Sequence, residues 1–382
     1  MSLLPIAELG AELTADQRER YARQIRLPGF GDEGQRRLSS SRVLVVGAGG
    51  LGSPALLYLA AAGVRTIGIV DDDLVDLTNL QRQIIHSTAS VGIPKTTSAA
   101  RAVHELNPDI QVIEHRYRLT EENATQTIAD YDVVLDGTDN FLTRYTVDAA
   151  CSRLSVPEVW GSILRFTAQV SVFWTGDRAR AHGVPDPGVC LRDLFPAPPP
   201  PGSTPSCGEA GVFGLLCGQV CSIMAGEAIK LLTGTGESLL GRVLLVDTAH
   251  ASYDTLKLTG SADRPEPLQG AALAAACTLV PKTASIGVGQ LRDLLDARAA
   301  GRARFTLLDV REDDEWAVNR IDGAIHLPLD RLLDDPSAAA ATLEPGPVYV
   351  YCLAGTRSSR AAQALADAGL NAISVDGGIK AW

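Results

Sequence analysis

Arg42–Val46, an apolar and largely β-branched run, leads directly into Gly47-Ala48-Gly49-Gly50-Leu51-Gly52 and then into an Ala/Leu-rich stretch reaching Ala62. The pattern reads as strand, glycine turn and helix. Glycines at 47, 49 and 52 permit a tight turn, close approach of backbone to phosphate and close helix–strand packing. The helix start adds unpaired N–H groups and positive potential. A second apolar strand, Thr66–Val70, ends in Asp71-Asp72-Asp73, and a third, Asp132–Leu135, ends in Asp136-Gly137-Thr138-Asp139-Asn140. Polar residues at the C-terminal ends of successive parallel strands predict a doubly wound α/β sheet with its site along that edge.

At 382 residues the chain is long for one hydrophobic core, which predicts two domains. A helical stretch from Cys217 to Leu232 and a strand Arg242–Val246 complete the first, over residues 1–258. The six prolines between Phe195 and Pro205 exclude helix and central strand there, predicting an exposed, lid-like crossover. Residues 259–285 lack periodicity and read as a linker. Residues 286–382 form a smaller α/β unit: a strand Phe305–Val310, a turn Ile321-Asp322-Gly323-Ala324, a strand Pro347–Tyr351, the loop Cys352–Arg357 and a helix Ser358–Ala368.

A net charge of 34 − 45 = −11 argues against nucleic acid and anionic membrane as partners. No apolar run is long enough, and free enough of glycine and charge, to predict a membrane span. Met1–Asp16 shows no signal-peptide or lipidation pattern, so a cytoplasmic location is expected. Seven cysteines, an odd and sparse count, predict thiol chemistry rather than a disulfide framework. His86, His250 and His326 lack metal-like spacing and read as structural.

The glycine turn with Asp71 suits an NAD ribose as well as an ATP ribose. Thr78-Asn79-Leu80-Gln81-Arg82-Gln83, Lys95 and Asp139-Asn140 shift the balance, because they add two cations and a carboxylate beyond what nicotinamide requires. Phosphoryl chemistry needs such clamps: cations neutralise charge building on the α-phosphate and leaving pyrophosphate, and a carboxylate holds Mg²⁺. On Arg20–Gln24, Gly47–Ser53, Asp71–Asp73, Asn79–Gln83, Lys95, Asp139-Asn140 and Ser206–Gly211, residues 16–258 resemble the ubiquitin-activating-enzyme-like adenylyltransferases of the molybdopterin-synthase and thiamine pathways. The resemblance implies a Rossmann-like adenylation domain. It implies ATP contact by Gly50, Asp71, Asn79, Arg82, Lys95 and Asn140, within a site that also holds Gly47, Gly49, Gly52, Asp73, Thr78 and Gln83, and Mg²⁺ on Asp139. It further implies a homodimer in which Arg23 reaches the neighbouring subunit's phosphates.

Members of this family often carry two Cys-x-x-Cys pairs that bind Zn²⁺. Here the positions read Cys190-Leu191-Arg192-Asp193 and Arg264-Pro265-Glu266-Pro267, so no structural zinc is expected. Cys207, after the proline-rich crossover, aligns with the family's acceptor cysteine; its role is attack on the acyl-adenylate or resolution of an acyl-disulfide. Cys217 and Cys221, spaced i, i+4 on an apolar helix, read as core.

Tyr351-Cys352-Leu353-Ala354-Gly355-Thr356-Arg357-Ser358 follows an apolar strand and opens a helix, where N–H groups favour a Cys352 thiolate and hold its persulfide. A cysteine phosphatase needs a loop one residue longer than Cys352–Arg357. With Leu308–Arg311, Ile321–Ala324 and the terminal Gly377–Trp382, the segment resembles a rhodanese domain. Leu353 stands where relatives often carry a basic residue. Thiosulfate and a cysteine-desulfurase persulfide are therefore the two expected donors, with Arg357 supplying charge. The whole predicts adenylation of a small ubiquitin-like sulfur carrier ending in Gly-Gly, followed by delivery of sulfur from Cys352. The rivals are a rhodanese domain used only for docking and an NAD-linked oxidoreductase.

Overall fold

The computed structural model describes residues 3–199, 210–277 and 284–382. The chain divides into two units, Met1–Cys277 and Thr278–Trp382. The first is built on β1 (Arg42–Val46), β2 (Thr66–Val70), β3 (Gln111–His115), β4 (Val133–Asp136), β5 (Glu158–Leu164), β6 (Thr167–Phe173), β7 (Arg242–Asp247) and β8 (Ser252–Lys257). They form one sheet in the order β3-β2-β1-β4-β5-β6-β7-β8. Strands β1 to β5 are parallel neighbours, and β5 to β8 pair antiparallel.

Strand β1 shows why the sheet is buried on both faces. Alternate residues of a strand point to opposite sides. Val43 and Val45 join Leu56, Leu59, Val220 and Met224 in one core, whereas Leu44 and Val46 join Ile128, Val134, Val147 and Cys151 in another. The covering helices used below are α1 (Gly52–Ala62), α2 (Lys95–Leu106), α3 (Phe141–Leu154), α4 (Gly214–Thr233) and α5 (Gly270–Cys277). The chain leaves β1 for β2 on one side and returns through β4 on the other, so the C-terminal ends of β1 and β4 meet where the strand order reverses.

Two expectations are corrected here. Helix α4, at 20 residues and a mean hydropathy of 1.5, is long and apolar enough to cross a membrane by length and composition. It packs into the first unit's core through Leu216, Val220 and Leu231, and its buried Glu227 accepts the Leu239 N–H at 2.7 Å. The segment expected as linker contains α5, whose Leu273 is buried beside Tyr145, while the Gly270 N–H donates to the Glu121 carboxylate. The break between units falls after Cys277.

The second unit is a five-stranded sheet of β9 (Ser285–Gly287), β10 (Thr306–Asp309), β11 (Ile325–His326), β12 (Val348–Tyr351) and β13 (Ala372–Asp376), ordered β11-β10-β12-β13-β9 and parallel throughout. Helices α6 (Asp313–Val318) and α7 (Thr356–Asp367) flank its site. α/β architecture is thus present in both units.

Candidate functional site

A cleft opens at the C-terminal edge of β1, β2 and β4, lined by Gly47, Gly49, Gly50, Asp71, Asp73, Arg82, Gln83, Lys95, Asp139 and Asn140 from the expected set. The glycine turn is closed by the Gly47 N–H donating to the Val70 carbonyl at 2.8 Å. Gly52 lies beneath it, where a Cβ would stand 1.8 Å from the Gly47 carbonyl oxygen, so no other residue fits. His86 holds the turn from below: the Ala48 carbonyl can only accept, so Nε2 donates to it, and Nδ1 meets the Ser98 hydroxyl at 2.9 Å. Its structural reading stands.

Asp71 ties the turn to the end of β2. Its Oδ2 accepts the Ala48 N–H and its Oδ1 the Asp73 N–H, each at 2.8 Å. Burial pushes its carboxyl above the ordinary range, with Lys95 pulling the other way. Lys95 opens α2; its N–H donates to the Asp73 carbonyl and its buried ammonium lies 2.7 Å from Asp73 Oδ2. Arg82 Nη1 donates to the Thr78 carbonyl at 3.1 Å, and Gln83 Oε1 is buried without a hydrogen-bond partner among the described residues. Asn140 caps α3 by accepting the Thr143 N–H. Asp139 is exposed at the rim and, among the described residues, takes no hydrogen bond or ion pair.

Thr78 and Asn79 do not line this cleft: they shape the turn before Arg82, with Asp76 accepting the Thr78 N–H and Asn79 Oδ1 accepting the Asp76 N–H. Arg23 is exposed on the short helix Ala22–Ile25, away from its own chain's cleft. Cys207 lies outside the described residues.

The structure adds residues that the sequence did not flag. Arg144, buried on α3, donates twice to the Thr138 carbonyl and once to the Ser162 hydroxyl, which rigidifies the loop after β4. Its charge faces Asp136, whose carboxyl burial pushes up and Arg144 pulls down. Tyr117 and Arg118 also line the cleft, Arg118 pairing with Asp72 at 3.3 Å. Cys217, read as core, is both buried and part of the cleft wall: a Cβ on Gly50 would stand 2.9 Å from its sulfur. Cys221 stays in the core, its thiol pushed up to about 12 by burial.

The two segments aligned with the family's metal positions are joined by charge. Asp193 accepts the Cys190 N–H and the Ser261 N–H and pairs with Arg264 at 3.1 Å, while Arg192 reaches Asp148 and the Pro265 carbonyl. Cys190 is buried at the start of this network, its thiol pushed up to about 12 by burial.

In the second unit, Cys352 is buried at the end of β12, one turn before α7. The Gly355 N–H donates to its sulfur at 3.1 Å, the one such amide among the described residues. The Ser358 hydroxyl sits 3.7 Å from the sulfur and is fixed by the Gly355 carbonyl and Ser374. The terminal segment closes the loop through Ile379 N–H to the Cys352 carbonyl and Lys380 N–H to that of Leu353. Arg357 is buried in a two-point ion pair, Nη1 to Glu315 Oε2 at 2.6 Å and Nη2 to Oε1 at 2.8 Å.

By class, this is a nucleotide-using transferase carried on one chain with a thiol-based sulfur-transfer domain. Residues 21–267 match the ThiF family and residues 289–382 the Rhodanese-like domain. The chain belongs to the ThiF family and ends in a rhodanese-like domain. It is 45% identical to a probable adenylyltransferase/sulfurtransferase MoeZ of Mycobacterium tuberculosis, across 100% of this chain and 96% of that protein. It is 39% identical to the adenylyltransferase and sulfurtransferase MOCS3-2 of Zea mays, across 97% and 80%. The sulfur carrier protein adenylyltransferase of Thermus thermophilus is 48% identical over 64% of this chain and 88% of its own length. Among solved structures, E. coli MccB with ATP shares the fold at a TM-score of 0.55 and 18% identity, over 67% of this chain and 75% of that one.

Proposed function

We propose that the chain adenylates the C-terminal glycine of a ubiquitin-like sulfur carrier and converts it to a thiocarboxylate with sulfur carried on Cys352. One observation carries the reading: a glycine turn, Arg82, Lys95 and an uncommitted Asp139 carboxylate converge on one sheet edge, on a chain that also bears a buried thiol at a helix start. The carrier's terminal carboxylate attacks the α-phosphorus of ATP and pyrophosphate leaves, its charge neutralised by Arg82 and Lys95. Arg23 from a second copy of the chain completes the clamp in a homodimer. Of the carboxylates here, Asp71 is bound to main-chain N–H groups, Asp72 to Arg118 and Asp73 to Lys95. Asp139, exposed at the rim, would hold Mg²⁺, which when bound neutralises phosphate charge.

The Cys352 persulfide then attacks the activated carbonyl, AMP departs, and a carrier acyl-disulfide results. A second thiol, for which Cys207 is the chain's candidate, cleaves it to release the thiocarboxylate, and an external thiol resets the cysteines. Joining both activities on one chain raises the effective concentration of persulfide at the adenylate. The test is AMP release with ATP, Mg²⁺ and Gly-Gly-ended carriers. Carrier-dependent release that falls at least about 100-fold in Lys95→Ala supports the reading. A chain that adenylates no carrier refutes it.

A further inference from the structure

Arg357 is the one cation within the Cys352–Arg357 loop, and its charge is already committed. Its partner Glu315 is held from its own helix, because Oε2 also accepts the Glu312 N–H at 3.1 Å at the start of α6. The arrangement is a fork-to-fork pair with the Arg357 side chain 8% exposed and that of Glu315 25% exposed, so water screens it weakly. Burial raises the Glu315 carboxyl, but the Arg357 hydrogen bonds, the Glu312 N–H and the charges of Arg357 and Arg311 together outweigh it and hold the group below its ordinary range, so it stays ionised at neutral pH. Burial, with Asp330, Glu315 and Asp313 adding to it, pushes the Glu312 carboxyl up while Arg357 pulls it down, so Arg357 faces further acidic groups, of which Asp313 pairs with Arg331 at 3.1 Å. Beside the nucleophile, Leu353 presents an exposed apolar side chain where a cation would assist an anion.

We infer that Glu315 is the donor-specificity residue of the loop: by neutralising Arg357 it disfavours the thiosulfate dianion and leaves Cys352 to take sulfur from a cysteine persulfide presented by a protein. Glu315 acts through Arg357 and is a positioning residue. The step balances without oxidant or reductant. The Cys352 thiolate attacks the terminal sulfur, the Sγ–S bond forms as the donor's S–S bond breaks, and the electron pair leaves on the donor's cysteine sulfur as thiolate. With thiosulfate the leaving group is sulfite, itself an anion. This inference rests on the sulfur-transfer reading above and deepens it.

The test uses the full chain, pre-reduced, and follows persulfide on Cys352 by intact mass and initial rate with thiosulfate or a cysteine-loaded desulfurase as donor. Glu315→Gln keeps one oxygen, which can still accept the Glu312 N–H and Arg357 Nη1, but removes the charge and the second acceptor. It should raise thiosulfate kcat/KM about tenfold, the scale of one charge-assisted hydrogen bond, while the desulfurase rate changes less than about threefold. Glu315→Gln/Arg357→Gln should lose that gain, as a structural role alone would not require. An unchanged thiosulfate rate in Glu315→Gln, or a parallel fall with both donors, overturns the inference alone. No uptake by the parent chain from either donor overturns the sulfur-transfer reading and this inference with it, while carrier-dependent AMP release still reports on adenylation separately.

Discussion

Gly50→Ala separates crowding from phosphate contact in the nucleotide turn. Gly50 has an ordinary backbone conformation, so alanine adds no strain there; the added Cβ meets Cys217 Sγ at 2.9 Å and Arg82 Cγ and Cδ at 3.7 Å. The sulfur is buried on α4 and must move, and with it the cleft wall beside Arg82. Overpacking of one methyl costs about 1–3 kcal/mol. Shared between folding and the bound state, that predicts about a tenfold loss of ATP affinity, since about 1.4 kcal/mol is tenfold. Removing the obstacle should restore function: Gly50→Ala/Cys217→Ala should bind ATP within about threefold of the parent. Nucleotide titration calorimetry and carrier-dependent pyrophosphate exchange measure both variants. A double variant no better than Gly50→Ala would refute the argument, because the alanine would then act on the phosphates directly and not through Cys217.

Glu158 is buried at the start of β5 with neither carboxylate oxygen hydrogen-bonded among the described residues, and burial, with Asp136 and Asp148 adding to it, pushes its carboxyl well above the ordinary range. A raised folded-state value means the native state holds the proton longer than the unfolded chain, so stability falls as pH rises from the ordinary glutamate range toward the folded value. Glu158→Gln should therefore gain stability relative to the parent as pH rises from about 5 to 8, with urea midpoints showing the gap; a gap that narrows over that range contradicts this account. Arg264→Ala should destabilise the first unit by about 3 kcal/mol, because it strips the cation from an Asp193 side chain only 1% exposed; a urea midpoint within error of the parent would show that the pair does not pin the two segments. Asp139→Asn should weaken the Mg²⁺ dependence of carrier-dependent AMP release at least tenfold while leaving the melting transition unchanged, and an unaltered Mg²⁺ profile would move the metal elsewhere.

Much of this architecture was legible because local chemistry and global fold agree. Arg42–Val46 and Thr66–Val70 are strands over those residues, since both are apolar runs bounded by turn residues. The third strand runs Val133–Asp136 instead of Asp132–Leu135: Asp132 turns aside to accept the Arg42 N–H, and Asp136 is drawn in by Thr138 and Arg144. Helix α4 starts three residues before Cys217, at Gly214. The three-residue strand β9 is too short to show a period of its own and exists by pairing with β13, whose Ile373 and Val375 do alternate with Ser374 and Asp376. In the site, cations adjacent to motifs were readable, but Arg144 was not, because an arginine inside a helix carries no sign of which carbonyl it will reach. Cys217 is buried, as its i, i+4 spacing with Cys221 implies, but that spacing does not say whether a buried face also walls a cleft. That Cys190 stands alone where the family often has four thiols was visible in the sequence, whereas the Asp193–Arg264 pair joining those segments depends on the fold.

The central claim is tested most directly by incubating the full chain with ATP, Mg²⁺, a sulfur donor, a reductant and a panel of Gly-Gly-ended carriers, and weighing each carrier intact. The account predicts that one carrier exchanges an oxygen for a sulfur, and that Cys352→Ala abolishes the exchange while AMP still forms. A carrier that gains sulfur equally with Cys352→Ala, or a chain that adenylates no carrier, would contradict it.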